Sequence, residues 1–216
     1  MKYDTVIFDL DGTLLNTLED LADAVNVVMK ANEFPKRTIE EVRCFVGNGI
    51  RRLMELAVPE HVTGEQFEKV FEQFKTYYTD HCQIKTRAYD GIMELLENLQ
   101  REGYAMAIVS NKNHAAVREL NDIYFEKYIK VAIGQKDGIR KKPAPDTVLQ
   151  ALKELGKEKE SAIYVGDSEV DFLTAQNTGM DCVLVTWGFR TTGELKAYEP
   201  TAFIERPEQL RNVLES

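Results

Sequence analysis

The chain has 216 residues and a formal net charge of −9 at pH 7, because it carries 27 Lys or Arg and 36 Asp or Glu residues. This length predicts one domain, or one domain with a modest insert, and the hydrophobic content of 44% excludes an intrinsically disordered chain. The acidic balance argues against a protein that binds nucleic acid or an anionic membrane, because both partners require a basic surface.

The lengths of the apolar runs and the positions of the cysteines indicate the cellular compartment of the protein. No apolar run approaches the roughly 18 residues that a membrane span requires. The early acidic residues Asp4, Asp9 and Asp11 are unlike a signal peptide. The three cysteines are scattered and form no CxxC pair, which predicts free thiols in a reducing compartment. We therefore expect a cytoplasmic protein with no membrane partner.

Short apolar runs predict the strands of a buried parallel sheet. The run at residues 3–10 contains Val6, Ile7 and Phe8 in succession, which is typical of a strand buried on both faces. Comparable runs follow at residues 104–110, 129–133, 162–166 and 182–186, with a weaker one at residues 201–204.

Helical patterns lie between these predicted strands. Apolar residues recur at helical spacing over residues 91–101 and 146–155, and Gly103 and Gly156 are natural helix ends before the next strands. The alternation from about residue 86 onward predicts an α/β fold. We expect a Rossmann-like, doubly wound parallel sheet with right-handed crossovers.

An all-helical insert is predicted after the first strand. No convincing strand lies between residue 16 and about residue 87. Four helices are predicted there, at residues 17–31, from a capping box at residues 38–41, at residues 49–57 and at residues 65–81. The predicted domains are therefore a core of residues 1–15 and 87–216 and a helical domain of residues 16–86.

Polar residues follow the predicted strands at the place where open α/β sheets bind ligands. The first strand runs into Asp9-Leu-Asp-Gly-Thr, and the second into Ser110-Asn-Lys. The fourth runs into Gly166-Asp-Ser, with Asp171 shortly after it. Lys141 and Lys142 precede the helix that leads into the fourth strand. We expect the topology of the sheet to gather these groups along one edge.

Several carboxylates at one edge indicate a bound cation, because like charges repel each other and resist desolvation. An oxygen-rich cluster without thiol or imidazole suits Mg²⁺. The hydroxyl of Ser110 and the charge of Lys142 would complement the oxygens of a phosphoryl group, and Gly12 lets the backbone approach that anion. The carboxylates in question are those of Asp9, Asp11, Asp167 and Asp171.

These motifs, in this order, resemble the four motifs of the haloacid dehalogenase-like hydrolases. The resemblance rests on residues 9–13, Ser110, residues 142–145 and residues 166–171, and it covers essentially the whole chain. The helical insert is similar to the small α-helical cap of that superfamily. Three segments resemble its phosphoglycolate phosphatase branch, namely residues 45–53, 110–112 and 187–190.

The resemblance implies a catalytic role for four residues. Asp9 would be the nucleophile and would form an aspartyl-phosphate. Asp11 would protonate the leaving oxygen and then activate the attacking water. Ser110 and Lys142 would bind the phosphoryl group, and Lys142 would also hold Asp9 ionised.

The resemblance also implies a metal site and substrate contacts. Mg²⁺ would be held by Asp9, the backbone carbonyl of Asp11 and Asp167, with Asp171 either a ligand or a partner of one. Substrate contacts are expected from Gly12, Thr13, Asn111 and Lys112 and, in the cap, from Asn48, Arg51 or Arg52.

Simpler interpretations stay open for three of these residues. Ser110 could cap the helix that follows it. Lys141 could enter the site in place of Lys142. Asp171 could be present only because a carboxylate is favourable in the first turn of any helix.

The predicted function is that of a Mg²⁺-dependent phosphomonoesterase for a small phosphorylated metabolite, with 2-phosphoglycolate as the leading candidate. Asp11 favours a phosphatase over a dehalogenase, because a leaving alkoxide needs a proton and a halide does not. The alternatives are a mutase of the β-phosphoglucomutase type, a nucleotidase or pyrophosphatase, and, least favoured, a non-catalytic phosphate-binding protein. A monomer or homodimer is expected.

Overall fold

The computed structural model describes residues 2–216. The chain forms two compact units. The core unit contains residues 2–14 and Ala88–Ser216, and the helical unit is Leu15–Arg87. Within the described residues, no helix is long and apolar enough to cross a membrane.

The described residues form eight strands, and six of them belong to the core unit's main sheet. In chain order they are β1 Thr5–Phe8, β2 Leu15–Asn16, β3 Arg87–Ala88, β4 Ala105–Asn113, β5 Val131–Gln135, β6 Ala162–Gly166, β7 Asp181–Val185 and β8 Ala202–Ile204.

Helices occupy most of the remaining chain. They are α1 Leu18–Ala31, α2 Ile39–Phe45, α3 Ile50–Ala57, α4 Gly64–His81, α5 Ile92–Arg101, α6 His114–Tyr124, α7 Asp146–Leu155, α8 Glu169–Thr178, α9 Thr192–Leu195 and α10 Leu210–Glu215. Two short 3₁₀ turns lie at Lys159–Ser161 and Pro207–Gln209.

The main sheet runs in the order β5-β4-β1-β6-β7-β8, and its pairings are parallel. Val6, Ile7 and Phe8 of the central strand are at most 1% exposed, because helices cover both faces of such a sheet. The chain passes from β1 to β4 and β5 on one side, and then crosses to β6, β7 and β8 on the other. This confirms the predicted Rossmann-like fold, and it places the carboxyl ends of β1, β4 and β6 side by side.

The helical unit has a hydrophobic core of its own, formed by the apolar faces of α1 to α4. The predicted capping box opens α2: the Thr38 backbone N–H donates to Glu41 Oε2 at 2.7 Å, and the Glu41 N–H donates to Thr38 Oγ1 at 3.2 Å. Large buried side chains of this core come from α1, α3 and α4, and include Leu21, Met29, Leu53, Met54, Phe67, Phe71, Phe74 and Tyr78.

Two expectations about strands were wrong at the margins. The two-residue strands β2 and β3 pair with each other, although no strand was predicted from residue 16 to about residue 87. Two residues are too few to show an alternating pattern. The second predicted strand continues to Asn113 instead of ending at residue 110. Its last residues are polar, so an apolar run could not reveal them.

Candidate active site

The predicted motifs converge where the strand order of the sheet switches. Asp9 directly follows β1, Asp167 directly follows β6, and Ser110 lies in the last part of β4. Because β1 pairs with both β4 and β6, these residues start from adjacent strands. Lys142 comes from the loop before α7, and Asp171 from the first turn of α8.

Lys142 lies at the centre of a buried cluster of charges. Its Nζ donates to Asp9 Oδ1 at 2.6 Å, to Asp171 Oδ1 at 2.8 Å and to the Tyr164 hydroxyl at 3.0 Å. The side chain of Lys142 is 3% exposed, whereas Lys141 is an exposed residue. Of the two lysines, the structure therefore places Lys142 among the carboxylates.

Burial and charge oppose each other in this cluster. Burial raises the pKa of Asp9 to about 7, although the charge of Lys142 acts in the opposite direction. Burial would also raise the pKa of Asp171, but the charge and hydrogen bond of Lys142 bring it below its ordinary value. Burial disfavours the charged form of Lys142, yet Asp171 and Asp9 hold the pKa of Lys142 well above its usual range. Lys142 is therefore a buried cation, with Asp171 as its main counter-ion.

Both carboxylate oxygens of Asp171 accept several hydrogen bonds. Oδ1 accepts from Lys142 Nζ and from the Tyr164 hydroxyl at 3.0 Å. Oδ2 accepts from the Ser168 hydroxyl at 2.6 Å and from the backbone N–H groups of Ser168 and Asp167 at 3.1 and 3.2 Å. Two carboxylate oxygens offer about four lone-pair sites. These contacts favour a role for Asp171 in holding Lys142 and the β6–α8 turn rather than in binding a metal directly.

Asp167 completes a group of three buried carboxylates. Single oxygens of Asp9, Asp167 and Asp171 lie within 4.8 Å of one another. Burial, together with the charges of Asp171 and Asp9, raises the pKa of Asp167 well above its ordinary value. Three carboxylates outnumber the one lysine, and the group contains neither thiol nor imidazole. Such a set of donors fits a hard cation such as Mg²⁺.

A second ion pair lies beside this group. Lys112 Nζ donates to Asp11 Oδ1 at 3.0 Å, and the two side chains are 7% and 14% exposed. The Ser110 hydroxyl accepts the Lys112 backbone N–H at 3.1 Å and lies 3.5 Å from Asp11 Oδ2. The helix α6 is capped by Asn113, whose side chain accepts the Ala115 N–H at 3.0 Å. Ser110 therefore faces Asp11 instead of capping the helix.

Three more of the predicted contact residues have protein partners. The side-chain amide of Asn111 makes two hydrogen bonds to the backbone of Lys142. Asn111 Nδ2 donates to Lys142 O at 3.1 Å, and Asn111 Oδ1 accepts the Lys142 N–H at 2.8 Å. Thr13 Oγ1 lies 3.4 Å from Asp9 Oδ2. Gly12 has φ +97°, and a Cβ on it would lie 2.8 Å from Asp167 Cγ. Asn111 thus positions the lysine loop, and Gly12 allows Asp167 to approach the turn after β1.

The predicted cap residues lie in the helical unit. Arg51 makes a bidentate pair with Glu68 at 2.9 Å for both bonds, and Arg52 pairs with Glu55 at 3.1 Å. Asn48 lies directly before Gly49, which has φ +86° and precedes α3.

The sequence analysis did not assign a role to two residues of the cluster, Tyr164 and Ser168. Tyr164 is fully buried in β6, and its hydroxyl links Lys142 to Asp171. Ser168 forms a capping box with Asp171 at the start of α8. The sequence contained one indication of this role for Tyr164, a hydroxyl inside the apolar run of residues 162–166, because a buried phenol needs a polar partner.

Known proteins match the chain along nearly all of its length. The family model described as haloacid dehalogenase-like hydrolase matches residues 6–185. Phosphoglycolate phosphatase 1 of Pseudomonas aeruginosa is 34% identical over an alignment of 211 positions that covers 95% of this chain and 77% of that protein. A second relative, from Caldanaerobacter subterraneus subsp. tengcongensis, carries the name pyrophosphatase PpaX. It is 30% identical, and the alignment covers 99% of this chain and 96% of that protein. A solved structure from Lactobacillus delbrueckii subsp. bulgaricus superposes with a TM-score of 0.93 at 37% identity, covering 99% of each chain.

These matches confirm the resemblance predicted from the motifs, including its phosphoglycolate phosphatase-like branch. They also confirm the predicted enzyme class, a phosphoric monoester hydrolase. The family match covers most of the chain and includes the three residues of the acidic cluster, Asp9, Asp167 and Asp171. The chain belongs to the haloacid dehalogenase-like hydrolases.

Proposed function

We propose that this protein is a Mg²⁺-dependent phosphatase that acts on a small phosphorylated metabolite, with 2-phosphoglycolate as the first candidate substrate. The observation that carries the proposal is the buried Lys142 between Asp9 and Asp171, beside the carboxylate of Asp167. Phosphoryl transfer needs a nucleophile in line, a fixed positive charge and a cation site. This cluster offers a residue for each. The Pseudomonas relative supports the choice of substrate.

Asp9 and Asp167 would hold the metal, together with the backbone carbonyl of Asp11 that the family resemblance implies. Bound Mg²⁺ would neutralise negative charge and polarise a phosphoryl oxygen. Asp171 would contribute charge to this site while its oxygens keep Lys142 and Ser168 in place.

In the first step, a carboxylate oxygen of Asp9 attacks phosphorus, and the bond from phosphorus to the ester oxygen breaks. Lys142 favours the ionised form of Asp9, because its ammonium lies 2.6 Å from Asp9 Oδ1. The leaving oxygen takes a proton from Asp11, which produces the free alcohol and an aspartyl-phosphate on Asp9.

In the second step, water attacks the phosphorus of the aspartyl-phosphate and gives a proton to Asp11. The bond between phosphorus and Asp9 breaks, so inorganic phosphate leaves and the Asp9 carboxylate is restored. Asp11 accepts this proton as a carboxylate, whose Oδ1 lies 3.0 Å from Lys112 Nζ. The proton gained here is the one that Asp11 donates in the next cycle.

Asn48 and Arg52 of the helical unit are proposed to help select the substrate. Arg52 has an exposed partner, Glu55, and exposed ion pairs are weak enough to exchange for a substrate anion. If Arg52 binds a carboxylate on the substrate, Arg52→Gln raises KM for 2-phosphoglycolate more than KM for a phosphate ester without a carboxylate. Equal KM changes for both esters would remove Arg52 from the proposal.

The cellular setting is also proposed from the cysteines. Cys44 and Cys182 are free thiols, which supports a reducing compartment such as the cytoplasm. We also propose that the protein is a monomer or a homodimer.

The test is phosphate release from a panel of esters, with Mg²⁺ and with a chelator. The panel contains 2-phosphoglycolate, sugar phosphates, nucleoside monophosphates and pyrophosphate, because one relative carries a pyrophosphatase name. We expect Mg²⁺-dependent release that is fastest from 2-phosphoglycolate. Fastest release from pyrophosphate would favour the pyrophosphatase alternative. No release from any ester, with isomerisation of a sugar phosphate instead, would replace the proposal by a mutase.

A further inference from the structure

The loop of residues 187–190, between β7 and α9, packs against the acidic cluster although the proposed chemistry does not use it. Its sequence is Trp-Gly-Phe-Arg. Arg190 is buried and makes two hydrogen bonds to Glu169 in the first turn of α8, at 2.8 and 3.1 Å. This ion pair ties the end of the loop to the helix that begins beside Asp167.

Two further hydrogen bonds connect the loop to the site. The Trp187 Nε1–H donates to the backbone carbonyl of Thr13 at 3.0 Å, which joins the loop to the turn after β1. The backbone N–H of Phe189 donates to Asp167 Oδ2 at 2.6 Å. A hydrogen bond from a backbone amide to a carboxylate is charge-assisted and restricts the rotamer of the carboxylate.

Two glycines make this close approach possible. A Cβ on Gly188 would lie 2.5 Å from Asp167 Oδ2 and 2.5 Å from the carbonyl oxygen of Gly12. A Cβ on Gly12 would also meet the carboxylate of Asp167, with Cγ at 2.8 Å. Asp167 Oδ2 therefore lies close to two glycines and accepts the Phe189 amide, so these residues restrict the carboxylate of Asp167.

We propose that the loop of residues 187–190 positions Asp167 and thereby sets the affinity of the site for its divalent cation. The inference rests on the proposed function, because it takes Asp167 as a metal ligand, and it extends that function to residues outside the cluster. Trp187 and Gly188 are positioning residues, since neither carries a group that could act on the substrate. Loss of such an outer contact typically weakens metal binding by about 10- to 100-fold.

The test compares Gly188→Ala with the matched control Gly193→Ala. The nearest atom to a Cβ on Gly193 would be Thr191 Oγ1, at 3.8 Å. Gly193→Ala therefore adds the same methyl group at a position where it causes no steric clash. Binding of Mn²⁺ without substrate is measured by electron paramagnetic resonance, and thermal unfolding is followed in parallel. We expect about tenfold weaker Mn²⁺ binding in Gly188→Ala and wild-type binding in Gly193→Ala.

A second variant keeps the inference testable if Gly188→Ala does not fold. Trp187→Phe retains an aromatic ring but removes the donor to Thr13 O together with part of the indole, so we expect folded protein with Mn²⁺ binding weakened a few-fold. In this variant the Mg²⁺ concentration for half-maximal phosphate release should rise, while kcat at saturating Mg²⁺ stays near the wild-type value. A merely structural defect would lower the melting temperature and leave the Mn²⁺ affinity unchanged.

The outcomes separate this inference from the proposed function. Wild-type Mn²⁺ affinity in folded Gly188→Ala, or in Trp187→Phe, would overturn the role of the loop and leave the phosphatase proposal standing. Weakened Mn²⁺ binding in a protein that releases phosphate from no ester would support the loop and overturn the phosphatase. Absence of Mn²⁺ binding in the wild type would overturn both.

Discussion

The core unit and the helical unit place the same kinds of charged side chain in opposite environments. In the core unit, Lys142 and Asp9 form an ion pair with side chains only 3% and 8% exposed. In the helical unit, Arg51 and Glu68 form a bidentate ion pair of good geometry, but their side chains are 50% and 52% exposed. Both pairs are short, at 2.6 and 2.9 Å.

The difference lies in what surrounds each pair. Water screens the Arg51–Glu68 pair, so it adds little to stability and either partner can be replaced at low cost. Lys142 has lost its water, and its removal would leave Asp9 and Asp171 as buried charges without a counter-ion. Replacing a buried ion cluster by apolar side chains is often neutral or stabilising. Chemistry therefore explains the buried cluster of the core unit better than stability does.

The sharpest test of this comparison is Asp9→Asn. The amide retains the shape of the side chain and an oxygen for Lys142 Nζ, but it cannot attack phosphorus. We expect phosphate release to fall roughly a thousandfold or more, while the melting temperature stays within about 5 °C of the wild type. The control is Asp4→Asn, since Asp4 pairs with Lys157 at the other end of the strand and should be dispensable for activity. Substantial activity in Asp9→Asn would remove Asp9 from its role as nucleophile.

The next largest effect is expected for Lys142→Met, measured by urea unfolding. Removing one partner of a buried ion pair costs about 3–5 kcal/mol, because the remaining charges stay buried. The matched control is Lys141→Met, which changes the exposed neighbour and should alter the free energy of unfolding by less than about 0.5 kcal/mol. Equal losses in the two variants would mean that Lys142 is not the counter-ion of the cluster.

A smaller effect is expected in the helical unit for Arg51→Gln. The guanidinium pairs with Glu68 and also lies 4.6 Å from the centroid of the Phe71 ring, but water reaches it. The free energy of unfolding should fall by about 1 kcal/mol or less in urea titrations, and added salt should reduce the difference. A loss as large as that of Lys142→Met would contradict the contrast between the two units.

The smallest effect concerns pH and His114, at the start of α6. Its Nδ1 accepts the Gly134 backbone N–H at 3.1 Å, and burial lowers the pKa of the imidazole. The folded state therefore binds this proton more weakly than the unfolded chain, in which histidine has a pKa of about 6.5. The contribution of His114 to the free energy of unfolding should decrease as the pH falls below about 6.5, so the wild type should lose stability relative to His114→Gln over this range. Identical pH profiles for both proteins would show that His114 does not contribute.

Several parts of the site could be predicted from local sequence. The run of residues 6–8 identifies the central strand, and Asp9 follows it directly, so its position at the edge of the sheet is a matter of chain continuity. Ser110 and Asp167 follow other apolar runs in the same way. The structure confirms the parallel fold that makes these strand ends adjacent.

Other parts depend on contacts that no local pattern records. Tyr164 lies in an apolar run and resembles its neighbours there, and only the packed structure shows its hydroxyl between Lys142 and Asp171. The amide of Asn111 holds the backbone of Lys142, a contact that no local pattern indicates, and its contact with substrate stays a prediction. The choice between Lys141 and Lys142 also rested on which side chain the loop turns inward.

Hydrophobic periodicity and turn residues act between neighbours in the chain, so they predicted the six strands of the main sheet, the helices with clear periodicity and the order of the chemical groups. Tertiary structure alone decided which of those groups meet. Lys142 and Asp9 are 133 positions apart, and Phe189 and Asp167 are 22 apart, so their contacts exist only once the sheet is assembled. Burial then changes the chemistry of the same residues, because the pKa of a carboxyl depends on the water and the charges around it and not on its place in the sequence.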